Sequence, residues 1–224
     1  MSLLNKYIYK KSSVSNLTVK QLVDFRTHIG TKFSFRNPLI DEYVYGLNIS
    51  KNIIFNSSIS LFLLRRTLNF LDILKNNNGQ VLFVGTNGDF SKLVKFAGEN
   101  TKQPYVSMRW IKGLLTNWEN LNVSIKFYNL FLKKLRKSRR QKQKMHENFY
   151  GLRFLKKLPS AIFLVSLNAD KEIIYEAKRL NIPVIAIVDS NQPVDLIDYP
   201  LLANSESLIS VFFLIRLITL SLQK

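Results

Sequence analysis

Hydrophobic residues along this chain fall either into short unbroken runs or into longer stretches where they recur at regular intervals. Residues 81–84, 161–165 and 182–188 are almost entirely apolar and are bounded by glycine, proline or polar residues. Runs of this length predict strands covered on both faces, as in a parallel sheet. Residues 90–97 and 171–180 instead carry apolar side chains three or four positions apart, which predicts helices with one buried face. Strands alternating with such helices predict an α/β fold with a doubly wound parallel sheet.

The residues before the first buried strand predict additional elements. Apolar positions within 17–27 predict a helix that begins at a Thr18 cap and ends where Gly30 takes a left-handed conformation. Residues 32–38 are basic and aromatic, and we expect them to form a loop. Further strands are predicted at 43–45, 53–55 and 104–106, a long helix at 59–74 and a terminal helix from about residue 205.

A second pattern interrupts the sheet pattern after residue 118. Leu121, Ile125, Tyr128, Leu132 and Leu135 are spaced four and three apart, as on a helix that packs against another helix. Residues 136–144 contain no apolar side chain and are expected to form an exposed tip, after which the spacing resumes in a short return arm. These features predict a coiled-coil-like α-helical hairpin at 119–158, inserted into an α/β domain made of 17–118 and 159–224, with an N-terminal extension at 1–16.

The net charge of +18 points to a polyanionic partner, either a nucleic acid or an anionic membrane surface. Between residues 125 and 157 there are twelve Lys and Arg residues against one acid, Glu147, so the inserted hairpin is strongly basic. A charge run is often only a solvated face, yet these cations repel one another strongly when they are unpaired. The apolar stretch at 208–220 is too short to span a bilayer and predicts a buried helix.

The sequence offers little material for catalysis. The chain has no Cys and only two His, which removes disulfides, thiolate zinc sites and thiol nucleophiles. The turn 85–88 lies where a doubly wound fold binds nucleotides, but it lacks the glycine fingerprints of nucleotide sites, so a structural turn is favoured. Asp189, Asp195 and Asp198 follow a strand end, where they would form either a metal or phosphate site or, as we favour, caps and turn bonds. We expect no enzymatic activity, no metal site and no cofactor.

Several stretches together resemble the bacterial and organellar family of ribosomal protein number two of the small subunit, the S-two family. The most specific is the string Arg109-Trp110-x-x-Gly113-x-Leu115-Thr116-Asn117-Trp118. The others are residues 28–30, 36–38, 44–46, 81–86, 159, 182–189, 198–200 and 204, in family order. The resemblance runs from about residue 17 to 222. It departs at Lys112, where the family usually has glycine, at Ser166, where it usually has aspartate, and in a shorter hairpin with a more basic tip.

The resemblance implies a non-enzymatic ribosomal protein, with a Rossmann-like α/β domain and an α-hairpin that contact small-subunit rRNA and neighbouring ribosomal proteins. It implies no small-molecule substrate. Lys outnumbers Arg 22 to 11, a bias typical of A/T-rich genomes, so we expect a mitochondrial ribosome, with a plastid or a bacterial cytoplasm as alternatives. Two other interpretations stay open: a Rossmann-type nucleotide-dependent enzyme, and a free-standing basic module that binds RNA or a membrane surface.

Candidate RNA contacts come from the basic loop, the tryptophan string and the hairpin. His28 either touches RNA or fills a loop, and Trp110 and Trp118 either stack on bases or, as we favour, anchor the hairpin to the sheet. The remaining cations would contact phosphates and read RNA shape rather than base sequence. The predicted contacts are Arg26, His28, Lys32, Arg36, Arg109, Lys112, Asn117, Lys126, Lys133, Lys134, Arg136, Lys137, Arg139, Arg140, Lys142, Lys144, Lys156 and Lys157.

Overall fold

The structure, a computed structural model, describes residues 17–131, 139–167 and 171–223. Its strands are β1 (Ile29–Lys32), β2 (Val44–Leu47), β3 (Asn52–Phe55), β4 (Val81–Val84), β5 (Tyr105–Val106), β6 (Ala161–Leu164), β7 (Val184–Val188) and β8 (Tyr199–Leu202). Its α-helices are α1 (Val19–Asp24), α2 (Ser57–Asn76), α3 (Gly88–Thr101), α4 (Trp118–Phe131), α5 (Arg139–Phe149), α6 (Lys171–Arg179) and α7 (Leu208–Leu222). Short 3-10 helices lie at Phe33–Phe35, Pro38–Tyr43 and Gly151–Phe154.

Five strands form a parallel sheet in the order β5-β4-β6-β7-β8. Every residue of β4, β6 and β7 is buried, because helices or packed loops cover both faces of these strands. The first strand of this sheet along the chain is β4, and the second, β5, pairs with one side of it at the edge of the sheet. The later strands β6, β7 and β8 follow one another on the other side of β4, which is the doubly wound arrangement. The predicted α/β, Rossmann-like fold is confirmed.

Alternate residues of the buried strands point into two separate cores. On one face, Phe83 packs with residues from α2, α3 and α7, including Leu64 and Val94. On the other face, Leu82 and Val84 pack with α6 and with the segment that contains Trp110. The period of two along a strand explains this division, because neighbouring side chains point to opposite faces. The second core brings the tryptophan string and the hairpin onto the sheet.

A small antiparallel sheet, in the order β1-β3-β2, lies before the main sheet in the chain. β1 occupies positions where the sequence predicts a helix end and a loop, and that prediction is wrong. Arg26, not Gly30, takes the left-handed conformation after α1, with φ of 54°. Gly30 lies in β1 instead, where a Cβ atom would come within 2.7 Å of Ser190 Oγ. Glycine is therefore needed there for close approach to the main domain and not for its backbone freedom.

Other element boundaries also differ from the prediction. β8 forms an additional edge strand at residues expected only to lead into the last helix; its Pro200 is compatible with an edge position. Leu180 is 36% exposed rather than inward, because α6 ends at Arg179. α5 begins at Arg139, inside the basic run expected to form the tip. α7 is a buried helix as predicted, and within the described ranges we find no helix of the length and apolarity needed to cross a membrane.

Candidate nucleic-acid interface

The tryptophan string is held to helix α6 by one carboxylate. Glu176 Oε1 accepts hydrogen bonds from Trp110 Nε1 at 3.0 Å and from the Gly113 backbone N–H at 2.8 Å, while Oε2 accepts from the Leu115 N–H at 3.1 Å. Gly113 has φ of 81°, a conformation that glycine adopts without steric cost. Trp110 is only 8% exposed, so its ring is used for packing and is not free to stack on a base. The partly buried Trp118 packs against the same core.

The polar residues of the same string remain at the surface. Arg109 and Asn117 are exposed, and Asn117 Oδ1 accepts a hydrogen bond from Asn120 Nδ2 at 2.7 Å. Lys112 is also exposed, but its Nζ lies 2.7 Å from Glu172 Oε1 in a salt bridge. A surface pair of this kind contributes little to stability and exchanges readily with other partners. Lys112 can therefore contact a phosphate without a large loss of folding free energy.

The base of the hairpin is clamped to the sheet edge around Tyr105 on β5. A Cβ atom at Gly98 would lie 2.3 Å from Tyr105 Cδ1, and one at Gly151 would lie 2.1 Å from the Tyr105 carbonyl oxygen. Tyr105 Oη donates a hydrogen bond to Glu99 Oε1 at 2.7 Å, and Arg153 pairs with Oε2 of the same carboxylate. The Arg153 guanidinium also lies 3.8 Å from the centre of the Tyr150 ring. These contacts hold residues 150–153 against α3 and β5.

The Glu99 pair makes stability depend on pH. Burial alone would raise the pKa of Glu99, but the hydrogen bonds from Arg153 and Tyr105 and the positive charges of Arg153 and Lys95 lower it below its usual 4.5. The pair therefore stabilises the fold above about pH 4.5, and this contribution is lost as the pH falls through the lowered folded-state pKa. We expect Glu99→Gln to unfold at lower urea concentration than the parent at neutral pH, with the difference shrinking in acid. An equal difference at every pH would contradict this, and the exposed Glu119→Gln provides the control.

The two hairpin helices meet through aromatic side chains near the clamp. The Tyr128 hydroxyl lies 2.8 Å from His146 Nδ1, and its ring centre lies 6.0 Å from that of Phe149. Tyr128 and Ile125 are buried, as the predicted four-three spacing requires. Leu121 is partly buried against the same core as Ile125, and the last two seam positions, Leu132 and Leu135, lie outside the described residues.

A surface groove of about 850 Å³ joins the tryptophan string to the second hairpin helix. Arg109 and Lys112 line one side of it, and Gln143, Glu147 and Asn148 of α5 line the other. Gln143 Nε2 donates to Glu147 Oε1 at 3.0 Å, so part of the acidic charge on the α5 side is already engaged. The fold thus places two predicted RNA contacts, Arg109 and Lys112, beside helix α5, some 30 residues away in the sequence.

The four predicted RNA contacts near β1 differ in exposure, in ion pairing and in charge. Arg26 and Lys32 are exposed, whereas Arg36 binds both oxygens of Asp41, at 2.9 and 3.3 Å, and lies over the Phe33 ring. Burial lowers the pKa of His28 and outweighs a backbone hydrogen bond with Leu22 that would raise it. The His28 ring is therefore harder to protonate than an exposed imidazole. Arg26 and Lys32 are the better placed of these four for phosphate contact.

The other predicted contacts follow the hairpin. Lys126, Lys156 and Lys157 are exposed. Arg139, Arg140, Lys142 and Lys144 lie on α5, whereas Lys133, Lys134, Arg136 and Lys137 fall outside the described residues.

The site where a doubly wound fold would bind a nucleotide is acidic here. A groove of about 600 Å³ lies at the ends of β4 and β6, lined by Asp89 and Glu206 together with residues of the 86–88 turn. Two carboxylates and no cation among its lining residues disfavour a phosphate. Asn87 Oδ1 accepts from the Asp89 N–H at 3.4 Å, as expected of a structural turn at the start of α3.

Asp189 and Asp198, two of the acidic residues after β7, serve as structural acceptors. Asp189 is buried and accepts hydrogen bonds from the backbone N–H groups of Ser190 at 2.7 Å, Ser205 at 2.9 Å and Thr31 at 3.3 Å. Burial raises its pKa, and these hydrogen bonds oppose the rise. Asp198 Oδ2 accepts from the Val184 N–H at 2.8 Å. In the described part of the chain no cluster of His, Asp and Glu is arranged to hold a metal ion.

Sequence comparison identifies the family. The model of the family described as Ribosomal protein S2 matches residues 22–224. The chain belongs to the ribosomal protein S2 family. A small ribosomal subunit protein uS2 of Ehrlichia ruminantium is 34% identical over 214 residues, covering 90% of this chain and 74% of the relative. Those of Rickettsia akari and Acinetobacter baylyi are 32% and 31% identical, covering 92% and 88% of this chain and 74% and 84% of the relatives. The resemblance seen in the sequence is confirmed.

The two residues that depart from the S2 family pattern are tolerated for identifiable reasons. Lys112, unlike Gly113 beside it, is not among the residues with a positive φ, so a side chain is sterically acceptable there. Ser166 replaces the usual aspartate at the end of β6 and lines the acidic groove with Asp89 and Glu206. A third carboxylate there would add to their repulsion. Neither substitution disturbs the packing that defines the fold.

Two residues important for this S2 family site are missing from the sequence-based prediction. Glu176 lies three positions after the buried Ile173, on the same helix face, so a carboxylate beside an apolar stripe was the available signal. Arg153 is one of twelve cations in its region and carries no such signal. Its role depends on contacts with Glu99 and Tyr150, which only the folded chain brings together.

Proposed function

We propose that this chain is a structural constituent of a small ribosomal subunit and binds rRNA and neighbouring ribosomal proteins. The match of residues 22–224 to the ribosomal protein S2 family carries this proposal. The names of the bacterial relatives place those proteins in the small ribosomal subunit. The net charge of +18 supports an RNA partner, because assembly on a polyanion relieves the self-repulsion of the chain.

We propose that two parts of the chain have different roles. The α/β domain, residues 17–118 and 159–224, would provide the scaffold, while the inserted hairpin, residues 119–158, would lay its cations along phosphates. The N-terminal extension, residues 1–16, precedes both. The clamp around Tyr105 supports this division, since it fixes the base of the hairpin on the sheet.

The hairpin contacts would be mainly to the RNA backbone. Double-stranded RNA offers phosphates and 2′-hydroxyls that side chains reach more easily than base edges in its deep major groove. Arg109 and Lys112 at the neighbouring groove would extend the same positive surface toward the domain. The buried Trp110 supports a positioning role for the tryptophan string in place of base stacking.

We propose that the chain has no enzymatic activity and uses no cofactor. The acidic lining of the groove at the ends of β4 and β6 supports this, because a nucleotide-dependent enzyme of this fold binds phosphate there. A Cβ atom at Gly85 would also lie 2.6 Å from Val94 Cγ2, so Gly85 serves helix packing. Saturable nucleotide binding at the 85–88 turn would favour the enzyme.

We propose a mitochondrial ribosome as the setting. The twofold excess of Lys over Arg, typical of an A/T-rich genome, supports a mitochondrial gene. The bacterial origin of the relatives favours the alternative, a ribosome of the bacterial cytoplasm. Sedimentation of lysates from purified mitochondria and from whole cells, with the chain detected by mass spectrometry, separates the two settings.

Removing charge from α5 should weaken RNA binding selectively. In the hairpin variant, Arg139, Arg140, Lys142 and Lys144 are all replaced by glutamine. Each lost phosphate contact lowers the slope of log affinity against log salt by about 0.7 to 0.9, so we expect a decrease of about 3 if all four make contact. The measurement is a salt titration of binding to small-subunit rRNA, followed by sedimentation of the variant with small subunits.

A matched control removes four exposed cations elsewhere, by changing Lys20, Lys92, Lys171 and Lys178 to glutamine. We expect the control to keep most of the salt dependence and to enter small subunits normally. Equal effects in both variants would mean that net charge, and not the hairpin, drives binding. Absence of the parent chain from small subunits even at low salt would contradict the ribosomal function.

A further inference from the structure

Helix α2 carries large apolar side chains on a face that does not pack against the sheet. Phe62 is 67% exposed and Ile73 is 60% exposed. Together with Arg65, Arg66, Phe70 and Tyr199 they line a surface groove of about 520 Å³, here called the α2 groove. Exposed apolar side chains that line one groove provide a surface that a partner can desolvate. The function proposed above assigns no partner to it.

The α2 groove also carries the positive charges of Arg65 and Arg66. Arg65 Nη2 donates a hydrogen bond to the Leu17 carbonyl at 2.8 Å, and the Arg66 guanidinium carbon lies 5.2 Å from the centre of the Tyr199 ring. Among the residues the structure describes, neither arginine forms an ion pair. The rim of an apolar groove is therefore positively charged, and a partner that brings carboxylates would be attracted to it.

We propose that the α2 groove docks a segment of another protein that inserts apolar side chains and pairs carboxylates with Arg65 and Arg66. Arginine and aromatic residues dominate the binding energy of protein interfaces. Phe62 and Ile73 offer the desolvated contact surface, and the two arginines select an acidic partner over the basic proteins and segments that would otherwise fit.

The arrangement of the rings favours a protein over RNA. Phe70 and Tyr199 stack on each other with ring centres 4.2 Å apart and planes 12° apart, and Arg66 lies over the Tyr199 ring as well. Single-stranded RNA is held by stacking bases on free ring faces, and Tyr199 is already engaged by Phe70 and Arg66, which leaves Phe62 as the exposed ring of the groove. Ile73, an aliphatic side chain, also offers a base nothing to stack on.

Charge argues against the two occupants supplied by the chain itself. Residues 1–16 contain Lys6, Lys10 and Lys11 and no acidic residue, so Arg65 and Arg66 would repel them. A second copy of the chain would bring its own net charge of +18 to the same surface. A carboxylate-bearing segment of a different protein has neither disadvantage.

The test places a photoreactive benzophenone side chain at Asn69, which is exposed and lines the α2 groove. Cross-linking is carried out in intact cells, and the linked peptides are identified by mass spectrometry. We expect a link to one protein segment that combines apolar residues with Asp or Glu. A probe at Lys178 of α6, which faces the opposite side of the sheet, should not form this link.

Charge reversal then tests the recognition chemistry. We expect Arg66→Glu to lower the yield of the Asn69 cross-link about tenfold, because it places a negative charge against the partner's carboxylates. Arg179→Glu on α6 makes the same change of charge at an exposed position away from the groove and should leave the yield unchanged. Replacing the linked partner's carboxylate with arginine should restore the link to the Arg66→Glu variant.

Several outcomes would overturn this proposal. They are a link to rRNA, a link to residues 1–16, no product at all, or a protein link that Arg66→Glu leaves unchanged. This proposal rests on the proposed function for its ribosomal setting, but different results would contradict the docking proposal and the proposed function. A chain that never sediments with small subunits would contradict the function, whereas the cross-link reports on the groove wherever the chain resides.

Discussion

Replacing Glu176 with alanine is expected to destabilise the protein by about 3 kcal/mol, because it leaves three hydrogen-bond donors of the tryptophan string without an acceptor. Those donors are Trp110 Nε1 and the backbone N–H groups of Gly113 and Leu115. Trp110 and Leu115 are buried, so water cannot replace the carboxylate without opening the packed segment. The measurement is urea unfolding followed by tryptophan fluorescence, which also reports on the environment of Trp110.

The matched control for this change is Glu172→Ala on the same helix. Glu172 makes an exposed salt bridge with Lys112, and we expect its loss to cost about 0.5 kcal/mol. Both variants remove one carboxylate from α6, so a difference between them isolates the role of the buried donors. Similar, small losses in both variants would show that Glu176 does not hold the tryptophan string in place.

Replacing Gly151 with alanine is expected to destabilise the protein by about 3 kcal/mol, through overlap with the main chain of β5. A Cβ atom at this position would lie 2.1 Å from the Tyr105 carbonyl oxygen and 2.7 Å from Tyr105 Cδ2. The carbonyl belongs to a strand paired with β4, so it cannot move away without weakening the sheet edge. The overlap could be removed only by moving the hairpin base, and the contacts of Arg153 with Glu99 and Tyr150 would then be lost. The measurement is the change in the midpoint of thermal or urea unfolding.

Gly88→Ala serves as the control for the added methyl group. An added Cβ atom at Gly88 meets nothing within 4 Å, and the residue begins helix α3, where alanine has the higher helix propensity. We expect this variant to match the parent or to gain about 0.5 kcal/mol. If Gly151→Ala were equally neutral, the packing of the hairpin base against β5 would be looser than the structure shows.

Local patterns predicted the fully buried strands and a helix with one buried face. The apolar runs of β4, β6 and β7 and the stripe of α3 appear where expected, because burial in these elements depends on residues close in sequence. β1 and β8 could not be found in this way. Each has four residues and lies at an edge, and its strand conformation comes from pairing with β3 or β7.

The candidate site also combines features that the sequence shows with features that only the fold shows. The excess of cations between residues 125 and 157 is visible in the sequence, since charge is counted and needs no fold. The sequence does not show which cations remain available for phosphate contact. Arg36 is engaged by Asp41, Lys112 by Glu172 and Arg153 by Glu99, and these partners are 5, 60 and 54 positions away.

The sequence by itself determined the family, the doubly wound sheet and the basic character of the hairpin, because motifs, periodicity and charge are local or additive properties. Only the tertiary structure decided that Trp110 is an anchor, that Gly151 packs against β5 and that α2 exposes Phe62 and Ile73 beside Arg65 and Arg66. These features depend on contacts between distant segments. A residue's own sequence neighbourhood does not specify which partner the fold will bring to it.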